Sequence, residues 1–133
     1  MGFTFYSKPE TAAEAHFFYK EIFRDRSYDI AALPEDAMII DAGANIGLSS
    51  LYMKRGRSLS RILAFEPAPD SFQMFRRNMQ LHTFSGVEAY QCEWGREKYE
   101  GELTCFPMLS GILRLHPQQK LDAMALLPDD HPL

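Results

Sequence analysis

The chain alternates short apolar runs with longer stretches in which apolar residues recur every three to four positions. The runs read as strands buried on both faces, the stretches as amphipathic helices. The first helical stretch runs from Glu10 to about Phe23. Ala15, Phe18, Tyr19 and Ile22 share one face, and Glu10 and Glu14 lie near the N-terminus, where acids complement the helix dipole. Leu33-Pro34-Glu35-Asp36 reads as a turn, because proline presets the geometry. Ala37-Met38-Ile39-Ile40-Asp41 follows as a strand, Gly43 to Gly47 as a tight loop, and Ile46 to about Arg55 as a helix. Leu48, Leu51 and Tyr52 face inward on that helix, and Gly56 closes it. Ile62 to Phe65 is a second strand. Pro69 to His82 is a helix started by Pro69 and Asp70, with Phe72, Phe75, Met79 and His82 as its buried stripe. Val87 to Cys92 is a third strand and Tyr99 to Phe106 a further one. Past Pro107 the pattern weakens, leaving a short helix over Leu121 to Leu127 and a loose end.

The order strand–helix–strand–helix–strand predicts an α/β domain: an open, mostly parallel sheet with flanking helices and right-handed crossovers. The expected division is an N-terminal helical segment over 1–32, a core over 33–107 and a loosely defined tail over 108–133. Ligands of such sheets sit beyond the carboxyl ends of the strands. Attention therefore falls on the residues just after Ile40, Phe65 and Cys92.

Composition narrows the function classes. A single domain of 133 residues buries roughly 65–70% of its unfolded surface, enough for a real core. A net charge of −4 gives no electrostatic reason to bind nucleic acid or an anionic membrane. Two cysteines, Cys92 and Cys105, make no disulfide framework and read as free thiols in a reducing cytoplasm. No run approaches the roughly 18–20 apolar residues that span a bilayer, and the opening residues lack the basic and apolar regions of a signal peptide. His16, His82, His116 and His131 have no partners at metal-ligand spacing, so no metal is expected.

Chemistry concentrates in two places. In Asp41-Ala42-Gly43-Ala44-Asn45-Ile46-Gly47, a ligand can approach backbone, and side chains at Gly43 and Gly47 would obstruct it. Asn45 is the non-glycine type that best tolerates unusual backbone angles. Asp41 can accept hydrogen bonds from loop amides or from a ligand ammonium or hydroxyl. The helix amides that follow suit a ligand carboxylate. The second place is Glu66. Pro67 biases it toward extended backbone, so the carboxylate should project from the strand end and can accept both hydroxyls of a ribose. Its truncation is accordingly expected to weaken binding with little loss of stability. Glu93, after the third strand, is placed to approach an adenine amino group. A nicotinamide fingerprint G-x-G-x-x-G starting at Gly43 would need glycine where Asn45 and Leu48 stand, so it fails, and no phosphate-loop lysine follows.

These motifs resemble a known family. Met38 to Leu48 is similar to the first motif of FkbM-type S-adenosylmethionine-dependent methyltransferases. Ala64-Phe65-Glu66-Pro67-Ala68-Pro69, with Phe72 and Asn78, resembles their second block. Pro9-Glu10-Thr11, Tyr19 to Phe23 and Leu103 to Met108 are similar to members found near polyketide and nonribosomal peptide assembly lines. The resemblance covers roughly residues 5–120. It implies a Rossmann-like class I methyltransferase fold with S-adenosylmethionine as cofactor. It also implies methyl transfer, often to oxygen, on a small-molecule or natural-product hydroxyl or a carrier-bound intermediate. Asp41, Gly43, Ala44, Asn45 and Gly47 would line the methionine and ribose, and Glu66 would hold the ribose.

The family continues with a strand reading like Lys-Ile-Asp-Val-Glu-Gly, and nothing of the kind follows Leu121. The C-terminal half of the fold thus reads as incomplete, and no catalytic base can be named. A non-catalytic cofactor-binding or scaffold module is the alternative function. The first strand, normally central, would keep an apolar outer edge without the charges or prolines that protect natural edges. Its expected cover is a homodimer, a partner chain, or the tail from Leu103 onward.

Overall fold

The computed structural model describes residues 3–95, 103–105 and 113–115. A 3-10 turn at Pro9–Thr11 leads into α1 (Ala12–Tyr19), which runs on as a π-helical turn over Lys20–Arg24. Then come β1 (Met38–Ala42), α2 (Leu48–Gly56), β2 (Arg61–Phe65), α3 (Pro69–His82) and β3 (Val87–Tyr90), followed by the short strands β4 (Leu103–Cys105) and β5 (Leu113–Leu115). Up to β3 the predicted elements are present at nearly the predicted bounds; of the strand expected over Tyr99 to Phe106 the described part is Leu103–Cys105, and β5 lies where no element is expected. The helix over Leu121 to Leu127 lies outside the described residues.

β1, β2 and β3 form a parallel sheet in that order, with Ile39 opposite Ile62 and Ala64 opposite Ala89. One face carries Ile39, Ile62, Ala64, Val87 and Ala89, which pack with Met53 of α2 and Phe75 of α3. On the other, Leu63 and Phe65 pack with Tyr90 and Cys92.

β2 is buried, as its run of apolar residues predicts, and it, not β1, is the middle strand of the three. β1 departs from expectation. Its burial alternates, with Met38 53% and Ile40 46% exposed. The reason is position: β1 is an edge strand, and among the described residues it pairs with β2 alone. β4 and β5 pair with each other, antiparallel, rather than with β1, so these tail strands do not cover that edge.

α3 also departs in detail. Its buried stripe is Ser71, Met74, Phe75 and Asn78, while Phe72, Met79 and His82 are only half-buried. The spacing is helical, but two members are polar and invisible to a hydrophobic pattern. Asn78 repays its burial through a complete set of bonds. Its amide Nδ2 donates to the carbonyls of Ile46 at 2.8 Å and Tyr6 at 3.0 Å, and its Oδ1 accepts from Tyr6 N at 2.6 Å. In α2 the buried lysine Lys54 is satisfied similarly: Nζ donates to the carbonyls of Ser58 and Ser60 at 2.6 and 2.7 Å. Burial pushes its pKa down. Gly56 is the last residue of α2 without a positive φ, so it closes the helix by position and not through the left-handed conformation.

The N-terminal segment belongs to this same core. Ala15 and Ile22 cluster with Ile46, Leu48, Leu51 and Met74. An aromatic chain extends the contact: Tyr19 stacks with Phe23 at 4.9 Å, and Phe23 meets Tyr52 of α2 edge-on at 5.2 Å.

Gly47 takes up the tightest helix contact. It starts α2 with φ of 90°, and a Cβ there would lie 2.8 Å from both Met79 Cε and Phe75 Cδ2 of α3. Gly47→Ala should therefore destabilise the fold by about 1–3 kcal/mol from overpacking alone, with left-handed backbone strain added. Urea unfolding reads this as a lower midpoint at unchanged slope; an unchanged midpoint would show that α3 gives way freely.

Candidate functional site

The site is built where β1 and β2 end. The chain leaves β1 and turns back on itself through three left-handed residues, Gly43 (φ 80°), Asn45 (φ 49°) and Gly47 (φ 90°). Alternating glycine and asparagine is the cheapest sequence for such a path. The turn is held against β2: the amides of Gly43 and Ala44 both donate to the carbonyl of Phe65 at 2.9 Å, and Gly47 N donates to Ala44 O at 2.8 Å. Most loop amides are thus used within the protein. The first amides of α2 have no acceptor inside the helix, and no side chain caps it.

Glu66 closes the arrangement. Its residue is 3% exposed. One carboxylate oxygen accepts from Asn45 N and the other from Ala68 N, both at 2.8 Å. This corrects the expectation that the carboxylate projects freely from the strand end. Pro67 does keep Glu66 out of α3, but the side chain folds back to join the β1–α2 loop to the start of α3. Its removal would orphan two amides, so it matters to the fold as well as to any ligand. A carboxylate offers about four acceptor positions, so two remain. Burial raises the pKa of Glu66, the bonds from Ala68 and Asn45 pull it back, and the charges of Asp41 and Glu93 push it up again.

A cavity of about 210 Å³ opens beside this point. Gly43, Ala44, Asn45 and Glu66 line it, together with Ile46, Leu48 and Ser49. A Cβ on Gly43 would meet no protein atom within 4 Å, so the space beside this glycine is left open by the protein itself. Gly47 behaves differently, since its missing side chain is required by Phe75 and Met79. Asp41 is not among the lining residues. Its Oδ2 accepts from the hydroxyls of Ser49 and Ser50, each at 2.6 Å, in place of the loop amides anticipated. Glu93 lies outside the lining too, half-buried and with its pKa raised by burial, yet near enough for its charge to act on Glu66.

Five contributors are not marked by the sequence motifs. Ser49 and Ser50 hold Asp41, and their signal is hydroxyls in the first turn of a helix that follows a strand-end acid. The N-terminal segment supplies Phe18, Ile22 and Tyr28 to the cavity wall; apolar residues on a helix and an aromatic residue in the turn after it carry no such signal by themselves. Among the described residues no cluster of three or more histidine, cysteine or acidic side chains is arranged for a metal, and no helix is long and apolar enough to cross a membrane.

No family model matches the chain. Individual relatives do. It is 47% identical over 131 residues to Methyltransferase 1 of Beauveria bassiana, covering 98% of this chain and 53% of that protein. It is 52% identical over 108 residues to the methyltransferase sdnD of Sordaria araneosa, covering 80% of this chain and 42% of that one. To the 31-O-demethyl-FK506 methyltransferase FkbM of Streptomyces tacrolimicus it is 35% identical over 109 residues, covering 80% and 41%. The chain spans about half the length of these relatives, or somewhat less. The matched part contains the left-handed loop, the paired Glu66 and the parallel sheet that sets them side by side. Over that matched part the chain is similar to FkbM-type methyltransferases.

Proposed function

We propose that this chain binds S-adenosylmethionine at the cavity between the Gly43–Asn45 turn and Glu66, and that it serves O-methyl transfer to a small-molecule or natural-product hydroxyl. The observation that carries the cofactor reading is the buried Glu66 carboxylate. It is fixed by two amides, keeps two acceptor positions, and borders a cavity that is also lined by the turn with its open glycine position. A ribose diol presents two donors at the spacing of one carboxylate.

The cavity is smaller than the roughly 300–1,000 Å³ of ordinary ligand pockets. It therefore suits one part of the cofactor, the ribose and the amino-acid end, and the base would lie outside it. The first amides of α2 lie near the turn and suit the cofactor's carboxylate. When bound, the cofactor supplies an activated methyl group on a sulfonium. The residues of this chain hold and orient it and exclude water. Similarity to the FkbM methyltransferase, which is named for methylating an oxygen, supports oxygen as the methyl acceptor.

S-adenosylhomocysteine should raise the melting temperature. Ligand at 100 times its dissociation constant adds about 2.7 kcal/mol of stability. NAD and ATP should give no comparable shift, because the turn lacks the glycine pattern and the lysine that cradle phosphates. A folded protein indifferent to millimolar S-adenosylhomocysteine would sink the cofactor reading.

Glu66→Ala should lose binding and also lower stability, since each buried amide left without an acceptor costs about 1–3 kcal/mol. Glu66→Gln keeps one carbonyl acceptor and should lose less stability while still binding poorly. Calorimetric titration and urea unfolding of both variants separate the two roles. An Ala variant as stable as the wild type would mean that water replaces the carboxylate.

Affinity should also depend on pH. A diol donates to the ionised carboxylate, and the pKa of Glu66 in the folded protein is raised. Binding should therefore weaken as pH falls through a point above the ordinary glutamate range of about 4.3. The unliganded fold responds with the opposite sign: the contribution of a raised carboxyl is complete below that ordinary value and is lost as pH rises through the raised one. Wild type minus Glu66→Gln isolates the effect, and identical profiles would assign it to another group.

A further inference from the structure

We infer that the N-terminal segment is part of the ligand site, with Phe18 and Tyr28 forming an aromatic wall that packs directly on the bound cofactor. The inference rests on the cofactor reading above and adds residues outside the two motifs. Phe18, Ile22 and Tyr28 line the same cavity as Gly43, Asn45 and Glu66. Only Ile22 is fully buried; Phe18 is half-buried, and Tyr28 is 42% exposed. Phe18 packs against the core on one side, yet neither ring is fully buried, and both leave apolar surface at the cavity that a ligand would cover.

The placement of Tyr28 is fixed by a set of local constraints. The π-helical turn ends with Asp25 N donating to Lys20 O at 2.9 Å. Such turns insert one residue and redirect the face that follows. Ser27 then ties back to the carbonyl of Glu21 twice, through its amide at 3.2 Å and its hydroxyl at 2.9 Å. Arg26 is held in the left-handed region at φ 56°, and its guanidinium pairs with Asp29 at 2.7 Å. The hydroxyl of Tyr52 on α2 bonds Asp29 as well. A non-glycine left-handed residue costs of order 1–2 kcal/mol. Here that strained residue lies two positions before the exposed ring, and the tethers around it fix the ring beside the cofactor turn. The segment is moored at its other end by the pair of bonds between Tyr6 and Asn78, which also reaches the carbonyl of Ile46 in the turn. Turn and wall thus share one anchor.

The test is titration of the whole chain with S-adenosylhomocysteine, alongside melting of the unliganded protein. Tyr28→Ala and Phe18→Ala should each weaken binding about tenfold, and Tyr28→Phe should stay within twofold of wild type, because the ring and not the hydroxyl makes the wall. Leu59→Ala is the control: Leu59 is 68% exposed and does not line the cavity, so affinity should not change. Tyr28→Ala should melt with the wild type when unliganded, which separates ligand contact from a structural role. Should wild type bind and Glu66→Gln lose binding while Tyr28→Ala and Phe18→Ala both stay within twofold, the wall is overturned and the cofactor reading stands. Should wild type itself fail to bind, both fall together.

Discussion

The structure turns on one buried carboxylate. Glu66 follows the central strand, and its two oxygens bind the amides of Asn45 and Ala68. The β1–α2 turn, the end of β2 and the start of α3 are therefore fixed relative to each other by a single side chain. The left-handed residues of the turn need that bond. Residues at positive φ persist only where surroundings over-determine them, and here the surroundings are the Phe65 carbonyl and the Glu66 carboxylate. Burying a charge would be costly without partners; two backbone donors provide them, and the residual penalty shows in the raised pKa.

A second constraint works from the opposite side of the turn. Asn78 is buried on α3 and binds both the Ile46 carbonyl and the backbone of Tyr6. A hydrophobic residue of that size would fill the space but leave the Ile46 and Tyr6 groups without these partners. An amide that donates twice and accepts once lets a segment far away in the chain dock against the β1–α2 turn. The aromatic chain from Phe5 through Tyr19 and Phe23 to Tyr52 then adds area.

Much of this was legible in the sequence. The helix over Pro69 to His82 and the central strand after Arg61 follow directly from proline position and apolar runs, and the left-handed Asn45 from its flanking glycines. What escaped detection escaped for physical reasons. Burial of Met38 and Ile40 depends on what lies beyond β1, and an apolar run looks the same in an edge strand as in a central one. Ser71 and Asn78 are polar, so a hydrophobic stripe passes over them although their spacing is helical. Glu66 was placed correctly at the strand end, yet its direction depended on whether Asn45 and Ala68 could reach it, which is a matter of tertiary geometry. Tyr28 sits in a loop and is brought to the site by Ser27, Arg26 and Asp29, none of which stands out in a linear reading.

The remaining regularity is electrostatic. Asp41, Glu66 and Glu93 follow or end three adjacent parallel strands, and each is accommodated differently. Asp41 is satisfied by two serine hydroxyls, Glu66 by two amides, and Glu93 sits half-buried with a raised pKa. Asp41 and Glu93 both act on Glu66 in the same direction, disfavouring its charge. Such an array would repel a phosphate, and the turn has spent most of its amides on its own carbonyls and on Glu66, so few remain to offset that repulsion. A ligand carrying positive charge and hydroxyl donors meets the opposite field. It gives the carboxylates the donors and the charge they lack, and in a medium of low polarity that exchange is worth more than it would be in water. Under the proposed cofactor reading, the acids that disfavour the charge of Glu66 would favour a sulfonium and an ammonium over a dinucleotide, although the strand–turn–helix beneath them would suit either.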